Sequence, residues 1–86
     1  MSFEIIFITE GRVANPAAEI QFDGQRLCVV RFLPIGTPEI EFVQDLYAGR
    51  GAGMTFPLQM FLETLQLAVG DLDAWRQKLE SDQADA

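Results

Sequence analysis

Residues 17–33 read AAEIQFDGQRLCVVRFL, and this stretch decides the fold because it predicts two antiparallel strands. Apolar and polar residues alternate from Ala17 to Phe22, which is typical of a strand with one buried face. Asp23-Gly24 follows, a dipeptide that favours a two-residue turn in which both central residues have positive φ. The chain then returns from Gln25 to Leu33. We therefore predict a β-hairpin with Asp23-Gly24 at its turn.

The position of the turn also predicts the register of the hairpin, because each step away from it pairs the next residue on either strand. The predicted pairs are Phe22 with Gln25, Gln21 with Arg26, Ile20 with Leu27, Glu19 with Cys28, and Ala18 with Val29. On the polar face, Glu19 lies diagonal to Arg26 and forms a cross-strand charge pair.

Two further strands flank this hairpin. Phe3 to Thr9 is dense in β-branched and aromatic residues, which suit a pleated and packed surface. Asn15-Pro16 marks a turn before the hairpin, and the two prolines in Leu33 to Pro38 mark a loop after it. Alternation resumes from Glu39 to Tyr47. The sequence thus predicts four antiparallel strands in a meander-like sheet.

One long helix is predicted after the strands. Thr55 is a suitable N-cap, and Pro57 is tolerated in the first turn. The apolar residues that follow recur at three- and four-residue spacing and form one stripe: Leu58, Phe61, Leu62, Leu65, Val69, Leu72 and Leu79. Gly70 costs about 1 kcal/mol relative to alanine, so a bend or break near Gly70-Asp71 is an open alternative. We expect an α+β fold with this helix packed on one face of the sheet.

Length and composition limit the chain to one small domain. Its 86 residues are 49% hydrophobic and 22% charged, as in a folded globular protein. A domain of this size buries roughly 60–65% of the surface of its unfolded chain and holds a single core. We assign residues 1–80 to the domain. Residues 81–86 lack apolar periodicity and are predicted to form a polar flexible tail.

The formal net charge is −7, from 13 acidic and 6 basic residues. Such a charge repels phosphate backbones and anionic lipid surfaces, which bind through cationic side chains. We therefore expect no direct binding of nucleic acid and no membrane association. The first residues also lack the pattern of a secretory signal, and no apolar run is long enough to span a bilayer. The expected location is the cytoplasm.

Residue types that commonly carry catalysis are scarce. The chain has no histidine, so no imidazole base is present to activate its few serine and threonine hydroxyls. Its only cysteine, Cys28, falls within an apolar strand and is predicted to be a buried, unreactive thiol that forms no intrachain disulfide. The sequence therefore predicts no enzyme activity, no cofactor and no metal site.

Two segments carry weaker functional signals. Glu39, Glu41 and Asp45 share one face of the fourth predicted strand, where residues two apart are separated by about 6.5–7 Å. This acidic patch is typical of a solvent-facing strand, and it also suits docking of a basic partner. The second segment joins that strand to the helix.

This connecting segment is the glycine-rich loop 49–53. Its backbone N–H groups, the N-terminus of the helix and a guanidinium together resemble the elements of an anion site. The candidate residues are Gly49, Arg50, Gly51 and Gly53. Their spacing matches neither a dinucleotide-binding fingerprint nor a phosphate loop, and a plain connector is the alternative.

The apolar surface exceeds what one helix covers. Two predicted strands are apolar on both faces: the strand Phe3 to Thr9, and the returning strand of the hairpin, Gln25 to Leu33. On the helix, Met60 and Leu67 project away from the apolar stripe. Large exposed apolar patches mark contact sites, so another protein chain is expected there. The predicted contact residues are Ile6, Ile8, Val30, Phe32, Met60, Leu67 and Trp75. For the helix residues, cover by the loop Pro34–Pro38 is the alternative.

We therefore predict a non-catalytic protein-interaction module. A homodimer is favoured because a twofold interface buries the same patch on both subunits, and a different protein partner is the alternative. A second hypothesis is an acidic inhibitor or immunity-type protein that mimics nucleic acid on a basic partner. A third is a small anion- or nucleotide-binding protein that uses the loop Gly49–Gly53.

Overall fold

A computed structural model describes residues 2–12, 15–43 and 55–84. In these ranges the chain forms β1 (Phe3–Glu10), β2 (Asn15–Phe22), β3 (Gln25–Phe32), β4 (Pro38–Phe42) and α1 (Leu58–Ala84). The strands are antiparallel and lie in the order β1-β2-β3-β4, so the sheet is a simple meander. The helix packs on one side of it. The predicted α+β architecture is confirmed.

The strand pairing divides the sheet into two faces, because residues directly opposite each other on neighbouring strands project to the same side. The face towards α1, here the helix face, consists of Phe3, Ile5, Phe7, Ala18, Ile20, Phe22, Cys28, Val30, Phe32, Ile40 and Phe42. The opposite face, here the rear face, consists of Glu4, Ile6, Ile8, Glu10, Ala17, Glu19, Gln21, Val29, Arg31, Glu39 and Glu41.

The hairpin turn forms where the sequence predicts it. Asp23 and Gly24 both have positive φ, 49° and 82°, as the two-residue turn requires. The first two predicted pairs are also present: Phe22 pairs with Gln25, and Gln21 pairs with Arg26. The register then shifts between Ile20 and Gln21, so that Ile20 pairs with Cys28.

This shift makes the outer part of the predicted register wrong. Ile20 does not pair with Leu27, Glu19 pairs with Val29 instead of Cys28, and Ala18 pairs with Val30 instead of Val29. Leu27 is the extra residue of a β-bulge, which reverses the faces of the rest of β3. Without the bulge, Arg31 would share the face of Ile20 and Ala18 and lie beneath the helix. The bulge places this charge on the rear face instead, which avoids burying it in the core.

The core lies between α1 and the middle of the sheet. Its fully or almost fully buried members are Ala18, Ile20, Cys28, Val30, Ala68 and Leu72. Ala18 on β2 and Ala68 on α1 are both fully buried in this cluster, and their small side chains leave little volume between the helix and the sheet. Ile20 and Leu72 fill the space beside them. Complete burial of one such side chain contributes about 1.5–3 kcal/mol to folding.

Aromatic contacts hold the helix on the sheet at two places. At its start, four rings form a cluster with centroid distances of 4.8–6.0 Å: Phe3, Phe22, Phe56 and Phe61. Further along, Trp75 packs edge-on against Phe7 with centroids 6.0 Å apart. The guanidinium of Arg76 lies 4.4 Å from the ring centroid of Phe32. The helix axis therefore runs along the strands.

The helix differs from its predicted form at both ends, and it decides the alternative that the sequence leaves open at Gly70. It begins at Leu58, three residues after Thr55, and Pro57 accepts the first helical hydrogen bond from Phe61 N–H. It passes through Gly70 without a break. It also continues to Ala84, into the segment predicted as a tail, where no proline or glycine interrupts it.

The core makes a direct prediction about stability. Ile20→Ala removes a side chain that is completely buried. We expect it to lower the free energy of unfolding by about 2–5 kcal/mol, measured by urea denaturation. Ile35→Ala is the matched control, because Ile35 is 80% exposed. It should change that free energy by less than about 0.5 kcal/mol. Equal losses in the two variants would contradict this description of the core.

Candidate interaction surfaces

Arg31 is the centre of an ion-pair network on the rear face. Its Nε donates to Glu10 on β1 at 2.8 Å, and its terminal nitrogens donate to Glu39 at 3.2 Å and to Glu41 at 2.9 Å, both on β4. The side chain thus spans β2 to join β1, β3 and β4. Ala17, its neighbour on β2, is completely buried. The network therefore covers the middle of the rear face.

A second polar cluster lies beside this network on the rear face. Glu19 accepts hydrogen bonds from Arg26 Nε and from Gln21 Nε2, both at 2.6 Å, and is itself nearly buried. Val29, which pairs with Glu19 and Glu41, is buried as well. The charged side chains of the same chain thus surround the two buried apolar residues of the rear face, Ala17 and Val29, whereas Ile6 stays exposed at the β1 edge.

The Arg31 network shifts the pKa values of two of its members, Glu10 and Arg31. The hydrogen bond from Arg31 holds the pKa of Glu10 below its ordinary value, although partial burial opposes this. Hydrogen bonds to Glu10 and Glu41 in turn raise the pKa of Arg31. The ion pair between Glu10 and Arg31 is therefore favoured at neutral pH and is lost when Glu10 becomes protonated.

The residues predicted to form a contact surface separate into two groups. Val30 and Phe32 lie on the helix face beneath α1, where Val30 is buried and Phe32 is covered in part by Arg76. Val30 is therefore part of the core, and Phe32 packs against the core with part of its surface accessible. The other five lie around β1 and the side of α1 that adjoins it: Ile6, Ile8, Met60, Leu67 and Trp75.

We call this second group, together with Phe7, the β1 flank. Trp75 packs on Phe7, and Asp71 and Ala74 line a shallow pocket beside these two rings. Met60, Leu67 and Ala74 are seven residues apart, so they follow one line along the same side of α1. Leu67 is 57% exposed, and Ile6, Phe7 and Met60 are each about 40% exposed. The apolar surface therefore continues from the edge of the sheet onto the helix.

A second apolar surface, the β4 flank, lies on the other side of α1. The helix has its main contacts with β1, β2 and β3, and every residue of β4 is exposed. Leu62, Val69 and Arg76 are also seven residues apart, and Arg76 stacks on β3. The side chains of this line therefore face towards β4. A shallow groove on this side of the helix is lined by Leu62, Leu65, Gln66, Val69 and Gly70. Sequence reasoning did not single out this surface.

The two remaining predicted sites fall largely outside the described residues. Glu39 and Glu41 of the acidic patch lie side by side and share Arg31, but Asp45 is not in the described part of the chain. The anion-site candidates Gly49, Arg50, Gly51 and Gly53 also lie outside it. These two sites stay predictions.

Cys28 lies in the core. Burial raises the pKa of its thiol to about 11, which suppresses the reactive thiolate. In the described ranges, no cluster of three histidine, cysteine, aspartate or glutamate side chains has the geometry to hold a metal ion. The described helix is too polar to cross a membrane.

Comparison with known proteins leaves the function to be inferred from these surfaces alone. No protein-family model matches the chain, and neither a curated protein nor a solved structure shows significant similarity to it.

The burial of Cys28 predicts slow reaction with thiol reagents. At pH 8 the native protein should react with an aromatic disulfide reagent far more slowly than the same protein in concentrated guanidinium chloride, because the native thiol is shielded and un-ionised. Absorbance of the released thiolate measures both rates. Equal rates would contradict the burial of this side chain.

The Arg31 network predicts a pH-dependent contribution to stability. Because the folded state lowers the pKa of Glu10 from 4.5, ionised Glu10 stabilises the fold above that pH, and the contribution is lost as the pH falls through the folded-state pKa. Glu10→Gln should therefore lower the Tm at pH 7, and the difference from the native chain should shrink as the solution is acidified.

Circular dichroism melting curves across that pH range measure this effect. Glu4→Gln serves as the control, since Glu4 is an exposed carboxylate on the same strand and face. It should change the Tm at pH 7 less than Glu10→Gln does. A Tm difference for Glu10→Gln that persists unchanged in acid would show that the charge of Glu10 is not responsible.

Proposed function

We propose that this chain is a non-catalytic protein-interaction module that functions as a homodimer joined through the outer edge of β1. The observation that carries the proposal is the open edge of this strand. In the described ranges β1 pairs only with β2, so one side of an eight-residue strand has free backbone groups. Such an edge is a template for pairing with another chain.

The two edges of the sheet differ in how well they are protected. β4 has only five residues, starts with Pro38 and carries Glu39 and Glu41, all features that oppose pairing between identical copies. β1 is longer, contains no proline or lysine, and has four consecutive apolar residues at its centre, 5–8. This contrast supports β1 as the edge that a second copy covers.

The backbone directions of β1 define which residues face the open edge. Asp23 N–H donates to Ser2 O, so the even-numbered residues of β1 point their backbone groups towards β2. The odd-numbered residues point theirs outwards: Phe3, Ile5, Phe7 and Thr9. In antiparallel pairing of two copies, these outward residues bond to each other.

One register of this pairing is well suited to the side chains. When the twofold axis passes through Ile6, Ile5 of one copy lies opposite Phe7 of the other, and Glu4 lies opposite Ile8. In this register no carboxylate lies directly opposite another. In this register the two β1 strands pair along their whole length, and no like charges lie directly opposite each other.

The helix side of the β1 flank enlarges this interface. Phe7, Met60, Leu67 and Trp75 adjoin the same edge, and pairing of two β1 strands brings the two flanks next to each other. Full burial of one large apolar side chain contributes about 1.5–3 kcal/mol, and a twofold interface uses every such residue twice. These contacts supplement the backbone hydrogen bonds.

The proposal predicts the mass and the mutational sensitivity of the protein in solution. At micromolar concentration, light scattering after size exclusion should give about 19 kDa, twice the chain mass of 9.6 kDa. Ile6→Lys should yield a monomer, because it places two ammonium groups at the centre of the paired strands.

Ile40→Lys is the matched control for that variant. Ile40 occupies the middle of the other edge strand and is 41% exposed, compared with 38% for Ile6. The Ile40→Lys protein should remain a dimer, and circular dichroism should show that both variants are folded. A monomeric native protein, or dissociation by Ile40→Lys and not by Ile6→Lys, would refute the proposal.

A further inference from the structure

We infer that β4 and the β4 flank form a docking site for an extended segment of another protein, in which basic and apolar residues alternate and which adds to the sheet as a fifth strand. This goes beyond self-association, since it concerns the opposite edge of the sheet and a different partner. Strand addition is a common mode of peptide recognition, in which backbone hydrogen bonds supply affinity and alternate side chains supply specificity.

The first support is the direction of the backbone groups of β4. Val43 N–H donates to Leu27 O at 3.1 Å, which continues the pairing of β4 with β3. Because the direction alternates along a strand, Glu39 and Glu41 point their backbone groups towards β3, and Ile40 and Phe42 point theirs outwards. No other strand in the described ranges pairs with this edge, so Ile40 and Phe42 together present two donors and two acceptors to an incoming strand.

The second support is the apolar surface on the helix face beside that edge. Ile40 and Phe42 are 41% and 59% exposed, although they stand on the face that α1 covers elsewhere. The groove lined by Leu62 and Val69 lies on the side of α1 that faces this edge, and Gly70 leaves it open because it has no side chain. An added strand places every second side chain on this face. Those side chains are expected to be apolar.

The third support is the charge on the rear face of the same edge. Glu39 and Glu41 share a single guanidinium with Glu10, so three carboxylates are balanced by one positive charge. The side chain of Glu41 is 64% exposed and has room for a further partner. The remaining side chains of an added strand lie next to these two glutamates. Lysine or arginine at those positions completes the charge balance.

The same charges exclude a second copy of this chain from the site. Pairing of two β4 strands brings Glu39 and Glu41 of one copy next to the same residues of the other, and like charges across a strand pair are destabilising. A nucleic acid is excluded for the same reason, because its phosphates would face these carboxylates. Charge complementarity therefore selects a basic protein segment.

This site is compatible with the proposed homodimer but does not depend on it. Pairing through β1 leaves both β4 strands at the outer ends of a continuous eight-stranded sheet. The dimer would then hold two partner segments at once, which raises the apparent affinity for a partner with two such segments. A monomer would present the same site once.

Synthetic peptides test the site directly. The probe is a short fluorescein-labelled peptide in which lysine and valine alternate, and its binding to the intact protein is followed by fluorescence anisotropy at low salt. We expect saturable binding of one peptide per chain. Two peptides serve as specificity controls: one with glutamate in place of lysine, and one with the same lysines and valines grouped in two blocks.

Both control peptides should bind at least about tenfold more weakly. The glutamate peptide lacks charge complementarity with Glu39 and Glu41, and the block peptide cannot place valine on one face and lysine on the other. Equal binding of the block peptide would mean that charge alone attracts the probe, and it would overturn the inference. Absence of binding at millimolar peptide would overturn it as well.

Charge reversal on the protein locates the site. Glu41→Lys should weaken binding of the lysine–valine peptide by about tenfold. Glu4→Lys, which makes the same change at an exposed glutamate on the rear face of β1, should leave it unchanged. Equal effects of the two variants would overturn the assignment to β4.

A final variant separates this inference from the proposed homodimer. The Ile6→Lys protein, designed to be monomeric, retains an intact β4 and should bind one peptide per chain with unchanged affinity. Loss of peptide binding in this folded variant would place the site at the β1 interface and overturn the inference. If the native protein is itself monomeric, the homodimer is refuted, and the peptide titrations decide this site independently.

Discussion

The β-bulge at Leu27 is the constraint on which the rest of the structure depends. Beyond it, Cys28 and Val30 face the helix and complete the core, and Arg31 projects from the rear face. A regular ladder would exchange these faces and place a guanidinium between α1 and the sheet, where desolvation of the charge is unfavourable. The bulge thus makes the core apolar and the rear face polar at the same time.

The position of Arg31 explains why the rear face needs no second layer. Its ion pairs with Glu10, Glu39 and Glu41 join three strands, while Glu19 and its partners form a second polar cluster on the same face. Buried Ala17 and Val29 lie among these polar side chains. A single-layer sheet with one helix is therefore compatible with apolar residues on both of its sides.

The width of the helix has the opposite consequence on the other face. One helix is about 10–12 Å across with its side chains, and adjacent strands are about 4.8 Å apart, so α1 covers about three strands at most. The uncovered apolar surface lies along both sides of the helix, at β1 and at β4, and on the rear face it is confined to the β1 edge, at Ile6. The two edges differ in length and charge, which is why different partners are proposed for them.

The order and type of the elements were determined by the sequence. Alternation in 17–33, the Asp23-Gly24 turn and the apolar spacing of the helix are local patterns, and each is sufficient to predict its element. The excess of apolar surface was also evident before the fold was known.

Tertiary structure alone decided where that surface lies. The bulge reverses the faces of β3 from Cys28 onwards, so Val30 and Phe32 enter the core although the sequence grouped them with Ile6 and Ile8. The β4 flank depends on which strands α1 covers, a relation between residues distant in the chain. Neither fact can be predicted from local periodicity. A one-residue register shift moves the side chains of a strand to the other face, but it leaves the sequence pattern of that strand unchanged.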